Sequence, residues 1–309
     1  MARSAIALIA GVLLLTSTTK AWNDEGHMAV AAAAYDLLLD VPRQRVAELL
    51  RWNPSSQRWN TRVQFAPKDK RPKFRFMLAA LWPDDIKSAP GYTNEDESDQ
   101  RAGRNIGYTD RLQHRYWHYI DHPFSQDGTP LDDAKAGAVN AEERIGRFRT
   151  VLASDAGDRL KSYDLVWLEH LVGDVHQPLH SATRVSAQMR RGDVGGNSHC
   201  LDPAACKTNN LHSFWDSSVG TSEDLIEAES LAAALDPPDP ARAKNPSTAA
   251  WTDESFAFAR SQVYADPIQP GAGPSTITGL YRVHARQLSR QQIAVAAARL
   301  AAILNNELR

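Results

Sequence analysis

Apolar residues recur along much of this chain at the three- and four-residue spacing of amphipathic helices. The spacing predicts helices over residues 24–40, 133–154, 163–177 and 282–308. In the last of these we interpret one apolar stripe as core, formed by Ile293, Ala297, Leu300, Ala301 and Leu304. We therefore expect an all-α fold.

Proline and glycine mark the loops between these segments, at residues 87–104, 122–132, 186–210, 236–247 and 266–275. Residues 236–247 are the only candidate for a domain linker, and their shortness favours a surface loop. We expect a single compact helical domain with long surface loops. No pattern in the sequence indicates an obligate protein partner.

The N-terminal residues follow a different pattern. A basic start at Arg3 precedes an apolar run from Ala5 to Leu15, and a small residue, Ala21, ends the segment. This order is typical of a secretory signal peptide, and the run is too short to span a bilayer. We expect residues 1–21 to be a signal peptide, residues 22–309 to be the mature domain, and the protein to be secreted or periplasmic without membrane attachment. The alternative is a buried N-terminal helix.

The chain is mildly acidic, with a formal net charge of −2. Removal of residues 1–21 would take away Arg3 and Lys20 and no acid, so the charge would become −2 − 2 = −4. Such a protein is not a general electrostatic binder of nucleic acid. If it acts on phosphates, bound metal ions must supply the attraction.

The two cysteines, Cys200 and Cys206, lie close together in the sequence. In an oxidising compartment such a pair favours a disulfide that closes a small loop. The alternative is a metal site with His199, but no further cysteine completes a cysteine-rich zinc set.

Ten histidines are present, and several of them stand at metal-ligand spacing. His170 and Asp174 share one helix face, and His212 and Asp216 repeat that spacing. Pro178 disturbs the backbone before His180 and can turn that side chain toward the same region. One such pair alone would indicate a surface ion pair. The repeated pair and the aromatic surroundings favour a partly buried metal site, and imidazole with carboxylate suits zinc.

Six motifs stand in a fixed order along the chain: Trp22-Asn-Asp-Glu-Gly-His27, Trp82-Pro-Asp84, Trp117-His118-Tyr-Ile-Asp121, His170-x3-Asp174-x5-His180, Gly195-Gly-Asn197 and His212-x3-Asp216. Together they resemble the single-strand-specific zinc nucleases of the S1/P1 type, which belong to the superfamily of zinc-dependent phospholipase C. The sequence departs from that pattern at Pro83, and Asp85 beside Asp84 leaves the choice of ligand open there.

The resemblance implies three zinc ions in an all-α fold. It assigns the first ion to Asp84, His118, His170 and Asp174. It assigns the second ion to His180, His212 and Asp216. It assigns the third to the amino group and carbonyl of Trp22, to His27 and to a bridging Asp174. Cleavage of the signal peptide would free that amino group, whose pKa lies near neutrality.

The resemblance also implies the reaction. Zinc-activated water would hydrolyse phosphodiester bonds of single-stranded DNA and RNA and leave 5′-phosphate products, and 3′-nucleotides are further candidate substrates. Asp84 would orient or deprotonate the water. Lys87 would neutralise the phosphate, unless it is a solvated surface lysine.

Base recognition is expected beside His118. Tyr119 could stack on a base and Asp121 could accept hydrogen bonds from a base edge, which would favour unpaired strands. The alternatives are a core tyrosine and a helix-capping aspartate. Asn197 either presents its amide to the substrate or serves a turn.

The remaining histidines lack a partner at the required spacing and are expected not to bind metal: His114, His122, His176, His199 and His284. His176 stands between ligand positions and is a candidate for orienting a neighbour.

Two other functions share these residues. A zinc-dependent phospholipase C would use the same scaffold, although Asp216 and the His118–Asp121 string favour the nuclease. A non-catalytic exported zinc-binding protein is the second alternative, but such sites are usually closed by protein ligands.

Overall fold

Capping side chains set the start of the first helix in the computed structural model, which describes residues 22–309. Helix α1 (Asp24–Asp36) begins after Asn23, whose side chain accepts a hydrogen bond from the Gly26 N–H at 3.2 Å. Asp24 and Glu25 in the first turn complement the helix dipole. The predicted signal peptide, residues 1–21, lies outside the described residues.

Helices account for nearly all regular structure in the described chain. After α1 they are α2 Asp40–Leu49, α3 Ser56–Arg62, α4 Arg71–Ala79, α5 Trp82–Asp85, α6 Ala141–Leu152, α7 Asp158–Asp174, α8 Leu211–Asp216, α9 Leu225–Ala233, α10 Pro240–Ala243, α11 Thr248–Phe258 and α12 Gly279–Glu307. Short 3-10 turns occupy Leu50–Trp52, Gly107–Thr109, Arg115–His118 and Pro178–Ser181, and a π-helical turn occupies Ala259–Val263. The only strands within residues 22–309 are β1 Pro123–Ser125 and β2 Thr183–Val185, which pair in parallel.

This architecture confirms the predicted all-α class. The apolar stripe of α12 is buried as expected, and α12 packs against α1 and α7. The helix expected from residue 133 begins only at Ala141, because Asn140 caps it by accepting the Glu143 N–H at 3.1 Å. The helix expected to reach residue 40 ends at Asp36.

Two segments expected to be loops carry short regular elements. Strand β1 lies within residues 122–132, and α10 lies within residues 236–247. Among residues 22–309 no helix combines the length and the apolar character that a membrane span requires.

Helix α7 passes through the centre of the fold. Every residue from Ser162 to Asp174 is buried, and the helix packs against α1, α2, α5, α6 and α12. A helix that is enclosed on all sides carries its polar side chains into the interior. Trp82 and Trp117 pack edge-on against Trp167 of this helix, with ring centroids 6.2 and 4.9 Å away.

His176 joins α7 to α12 and does not orient a neighbouring ligand as expected. Its Nδ1 bonds to the Val172 carbonyl at 2.7 Å, and its Nε2 lies 2.8 Å from Nη1 of Arg299. The ring is fully buried beside Trp251.

His114 connects three buried side chains just before the Arg115–His118 turn. It adopts a left-handed backbone conformation (φ 47°) and stacks on Trp117 with centroids 3.6 Å apart. Its ring nitrogens lie 3.0 Å from Asp110 and 2.9 Å from Glu95. Burial acts to lower the pKa of His114, but the hydrogen bonds to these two carboxylates raise it above its ordinary value.

We expect His114→Ala to destabilise the fold by about 3 kcal/mol, because it leaves two carboxylates without their buried cation. Unfolding in urea measures this difference. The raised pKa means that the stabilisation is fully present below about pH 6.5, the ordinary value, and declines as the pH rises through the folded-state pKa of His114.

His284→Ala is the matched control. His284 is exposed, and within residues 22–309 its ring bonds only to Gln262, so the change should cost no more than about 0.5 kcal/mol. Equal effects of the two substitutions would contradict the structural role of His114.

Candidate metal centre

The first group of donor atoms is organised by α7. His170 and Asp174 are one turn apart, with Nε2 and Oδ2 separated by 3.3 Å. Nδ1 of His118, at the end of the Arg115–His118 turn, lies 2.9 Å from the same Asp174 oxygen and 3.0 Å from Nε2 of His170. All three side chains are buried. Their donor atoms therefore surround one point in the interior.

Asp84 reaches this group from α5. Its Oδ1 lies 3.6 Å from Nε2 of His170 and 3.9 Å from Nδ1 of His118. Lys87 is also buried, so it is not a solvated lysine, and its Nζ lies 2.6 Å from the same Asp84 oxygen. Burial opposes ionisation of Asp84, but Lys87 and the nearby histidines hold its pKa below the ordinary value. Asp85 instead forms an ion pair with Arg58, so the geometry brings Asp84 and not Asp85 to the cluster.

The second group lies where the chain turns after α7. His180 sits in the Pro178–Ser181 turn, and its ring centroid is 4.9 Å from that of His212. His212 and Asp216 are one turn apart on α8, with Nε2 and Oδ2 separated by 3.4 Å. A capping box between Asn210 and Ser213 fixes the start of α8. One donor atom from each of His180, His212 and Asp216 lies within 4.8 Å of the others.

The start of the described chain completes the cluster. His27 stacks on His170 with centroids 3.8 Å apart, and its Nε2 lies 3.3 Å from Oδ1 of Asp174. The indole N–H of Trp22 donates to the Gly173 carbonyl at 3.1 Å. The Asn23 N–H donates to the Asp216 carbonyl at 3.2 Å, so residues 22–27 connect the two donor groups. A third combination, His27 with Asp84 and His170, also has donor atoms within 4.8 Å.

Backbone carbonyls orient three of the imidazoles. Each accepts a hydrogen bond of 2.7 Å from an Nδ1 atom: Ala80 from His170, His118 from His180, and Gly195 from His212. With the proton held on Nδ1, each Nε2 keeps its lone pair, which is the form that binds a metal. Burial lowers the pKa of all three rings, in His212 to about 4.

The donor set suits a divalent cation. Nε2 of His180, both ring nitrogens of His27 and Oδ1 of Asp174 are buried without a hydrogen-bond partner. Burial raises the pKa of Asp174 to about 7 and that of Asp216 well above its ordinary value. Buried polar atoms need partners, and a cation would supply one to both carboxylates and imidazoles. Mixed nitrogen and oxygen donors at this spacing are typical of zinc.

A cavity of about 90 Å³ opens beside the cluster and contains all three predicted substrate-binding residues in its wall. Tyr119 and Asp121 follow His118, and burial, together with Asp193 and Glu97, raises the pKa of Asp121 to about 7. Asn197 donates its side-chain N–H to the Val194 carbonyl at 2.8 Å, which serves the turn. Its Oδ1 is buried without a partner.

Sequence reasoning missed two side chains at the site. Gln177 donates to Oδ1 of Asp216 at 2.7 Å and accepts the Leu179 N–H at 2.6 Å, so it links the second donor group to the Pro178–Ser181 turn. In the sequence, its position directly before Pro178 was the one feature that could have identified it. Arg115 lies in the cavity wall, and only its distance of three residues from His118 pointed to it.

The structure pairs Cys200 with Cys206, as expected for an oxidised pair. His199 does not join a metal site. Its Nδ1 lies 2.9 Å from Nη2 of Arg184, and its Nε2 lies 2.8 Å from the Ser275 hydroxyl. The closed loop ends shortly before Asn210, the cap of α8.

Comparison with known proteins places these features in a family. The sequence model described as S1/P1 Nuclease matches residues 22–309. Endonuclease 2, Endonuclease 3 and Endonuclease 1 of Arabidopsis thaliana are 29%, 25% and 26% identical to this chain over 163, 221 and 230 residues. The alignments cover 48%, 68% and 69% of this chain and 52%, 60% and 59% of those proteins. The chain thus spans little more than half the length of the curated relatives it matches.

Gly173 offers a test of the packing around His27. A Cβ atom at this helical position would lie 2.9 Å from Nδ1 of His27. We expect Gly173→Ala to displace that ring from Asp174 and to weaken zinc binding at the cluster roughly tenfold or more, as loss of a positioning contact does. Competition with a chromophoric chelator measures the affinity.

Gly146→Ala is the matched control, because nothing lies within 4 Å of a Cβ at that position in α6. Both changes gain helix propensity, so the control should leave zinc affinity unchanged and stabilise the fold by up to about 1 kcal/mol. Unchanged zinc affinity in Gly173→Ala would rule out the role assigned to this close contact.

Proposed function

Because this chain belongs to the S1/P1 nuclease family, we propose that it is a zinc-dependent endonuclease that hydrolyses phosphodiester bonds of single-stranded DNA and RNA and leaves 5′-phosphate products. Substrates of a second kind are 3′-nucleotides. The observation that carries the proposal is the convergence of buried imidazoles and carboxylates into three groups of donor atoms. The secreted or periplasmic location is part of the same proposal.

We assign one zinc ion to each of three ligand sets. The first set is Asp84, His118, His170 and Asp174, whose donor atoms lie 2.9 to 3.9 Å apart in the pairs described above. The second set is His180, His212 and Asp216. The third set is His27, a bridging Asp174 and the amino group and carbonyl of Trp22. The contacts of Trp22 with Gly173 and of Asn23 with Asp216 support this third set.

The bound ions would supply Lewis-acid chemistry to a phosphodiester and its attacking water. The chain supplies the rest. Asp84 orients the attacking water or accepts its proton. Lys87, fixed by its contact with Asp84, places a positive charge beside the phosphate. Because both side chains are buried, this electrostatic stabilisation acts where solvent screens it little.

The lining of the cavity supports the proposed preference for single strands. Tyr119, Asp121 and Asn197 line the same cavity, which would receive one unstacked base. Tyr119 stacks on that base, Asp121 accepts hydrogen bonds from its edge, and the unpaired Oδ1 of Asn197 offers a further acceptor. Every base can stack on an aromatic ring, so we expect cleavage to depend little on the identity of the base.

The first experiment measures zinc content and cleavage together. The mature protein is expected to hold three zinc ions, one for each of the three proposed ligand sets. It should cleave single-stranded DNA at least about tenfold faster than the same sequence as duplex, since pairing and stacking withhold the base. A chelator should abolish cleavage, and added zinc should restore it.

Parallel assays separate the alternatives. Hydrolysis of phosphatidylcholine without cleavage of nucleic acid would indicate a phospholipase C. Turnover of neither nucleic acid nor 3′-nucleotides nor phosphatidylcholine by the zinc-loaded protein would indicate a zinc-binding protein without catalytic activity.

A second experiment tests the amino group of Trp22. Two otherwise identical proteins are prepared, one that begins at Trp22 and one that retains Ala21 before it. The extra residue turns the amino group into an amide, which does not coordinate zinc, whereas a free amino group with a pKa of about 7.7–8.0 readily does. The extended protein should hold one zinc ion fewer and lose most of its activity.

Thermal unfolding of both forms in the presence of chelator is the control. The two apo proteins should unfold at the same temperature, because the difference between them lies in metal binding. Equal zinc content and equal activity of the two forms would exclude Trp22 from the ligand set.

A further inference from the structure

Lys87 and Arg115 both line the cavity, and the proposed function gives a role only to Lys87. Arg115 begins the turn that ends at His118, and it lines the cavity together with Lys87. Its side chain is partly buried, so the guanidinium is positioned by protein contacts while it remains accessible from the cavity.

The contacts of Arg115 leave its charge uncompensated. Its Nε donates to Oε1 of Gln113 at 2.8 Å, and its Nη2 donates to the Lys87 carbonyl at 3.3 Å. Both acceptors are neutral, and among residues 22–309 no carboxylate forms an ion pair with Arg115. A guanidinium is always protonated and carries five N–H donors, so two bonds leave three donors unused.

The same contacts fix Arg115 beside Lys87. Gln113 also donates its own side-chain N–H to the Lys87 carbonyl at 3.0 Å, so that one carbonyl holds both Gln113 and Arg115. The Nζ of Lys87 is held in turn by Asp84. The result is a pair of preorganised cations, of which only Lys87 lies against the donor cluster.

We propose that Arg115 binds a phosphate adjacent to the scissile one and thereby makes the site selective for oligonucleotides and polynucleotides over mononucleotides. This inference rests on the proposed function, in which Lys87 serves the scissile phosphate. The planar fork of arginine matches the oxygen atoms of a phosphodiester. A 3′-mononucleotide has no neighbouring phosphodiester, so Arg115 adds affinity for longer substrates alone. In a mildly acidic chain this local charge compensates for the absence of a general electrostatic attraction.

The test is a double-mutant cycle between Arg115 and one phosphate. Each substrate is a trinucleotide with two linkages, of which one is a cleavable phosphodiester. The other linkage is either a charged phosphorodithioate or a neutral methylphosphonate. It is placed on the 5′ side of the phosphodiester in one series and on the 3′ side in the other. Product mapping restricts the measured rate to cleavage of the phosphodiester. Neutralising the adjacent linkage on one side should lower kcat/KM of the wild-type protein roughly tenfold, the order expected for a charge-assisted hydrogen bond.

Arg115→Ala should lose a similar factor on the charged substrate and become insensitive to neutralisation. Arg115→Lys should recover part of the loss, because it keeps the charge without the fork. The loss should appear in KM rather than kcat, and hydrolysis of a 3′-mononucleotide should keep its wild-type kcat and KM. The slope of log affinity against log salt for an uncleavable oligonucleotide should become shallower by about 0.7, the value for one lost contact with a single strand.

Arg111→Ala is the matched control. Arg111 is exposed and lies over the Tyr92 ring, 5.2 Å from its centroid, outside the cavity wall. Its removal should leave both the substrate ratio and the salt slope unchanged.

A purely structural Arg115 would give a different result. Arg115→Ala would then lower the melting temperature and reduce activity on mononucleotides and trinucleotides equally, and its sensitivity to neutralisation would match that of wild type. That outcome overturns the inference. Failure of the wild-type protein to cleave any oligonucleotide overturns the proposed function instead, and binding of the uncleavable charged and neutral analogues still decides the role of Arg115.

Discussion

Enclosure of ionisable donor atoms that have no protein partner is the constraint on which the rest of this structure depends. His170 and Asp174 occupy a helix that is buried from Ser162 onward, and His27 stacks on His170 with no hydrogen bond to either of its own ring nitrogens. An arrangement of this kind is costly in a protein interior unless something supplies the missing interactions. The helices, turns and caps around α7 together hold these atoms at short distances from one another.

The donor cluster and the proposed base pocket are built from neighbouring parts of the chain. The turn that ends at His118 continues directly into Tyr119 and Asp121, so the donor cluster and the proposed base pocket share one continuous segment. The stacked His114 fixes the entry of that turn. Lys87 comes from a different element, just after α5, and meets the turn through its carbonyl. The residues of the proposed base pocket and the donor atoms are therefore held by the same backbone segment.

The sequence predicted the helical class, the buried stripe of α12 and the residues that come together at the cluster. The spacing of His170 with Asp174 was sufficient to predict that these two meet, because they lie one turn apart on a helix. The places of His27, Asp84 and His118 in the cluster were expected only from the resemblance to the nuclease family. The sequence pattern did not predict α2, α3 and α4, because their mixed polar and apolar residues form no clear apolar stripe. Nor did it identify Arg115, because the exposure of that side chain to the cavity depends on a distant carbonyl.

Three of the imidazoles take their orientation from main-chain oxygens rather than from side chains, as described for Ala80, His118 and Gly195. Every amino acid presents such an oxygen, so the hydrogen bond to His170 does not depend on the side chain at position 80, which is restricted only by its burial in the core. A comparison of residue identities consequently cannot detect these hydrogen bonds. They depend on the path of the backbone.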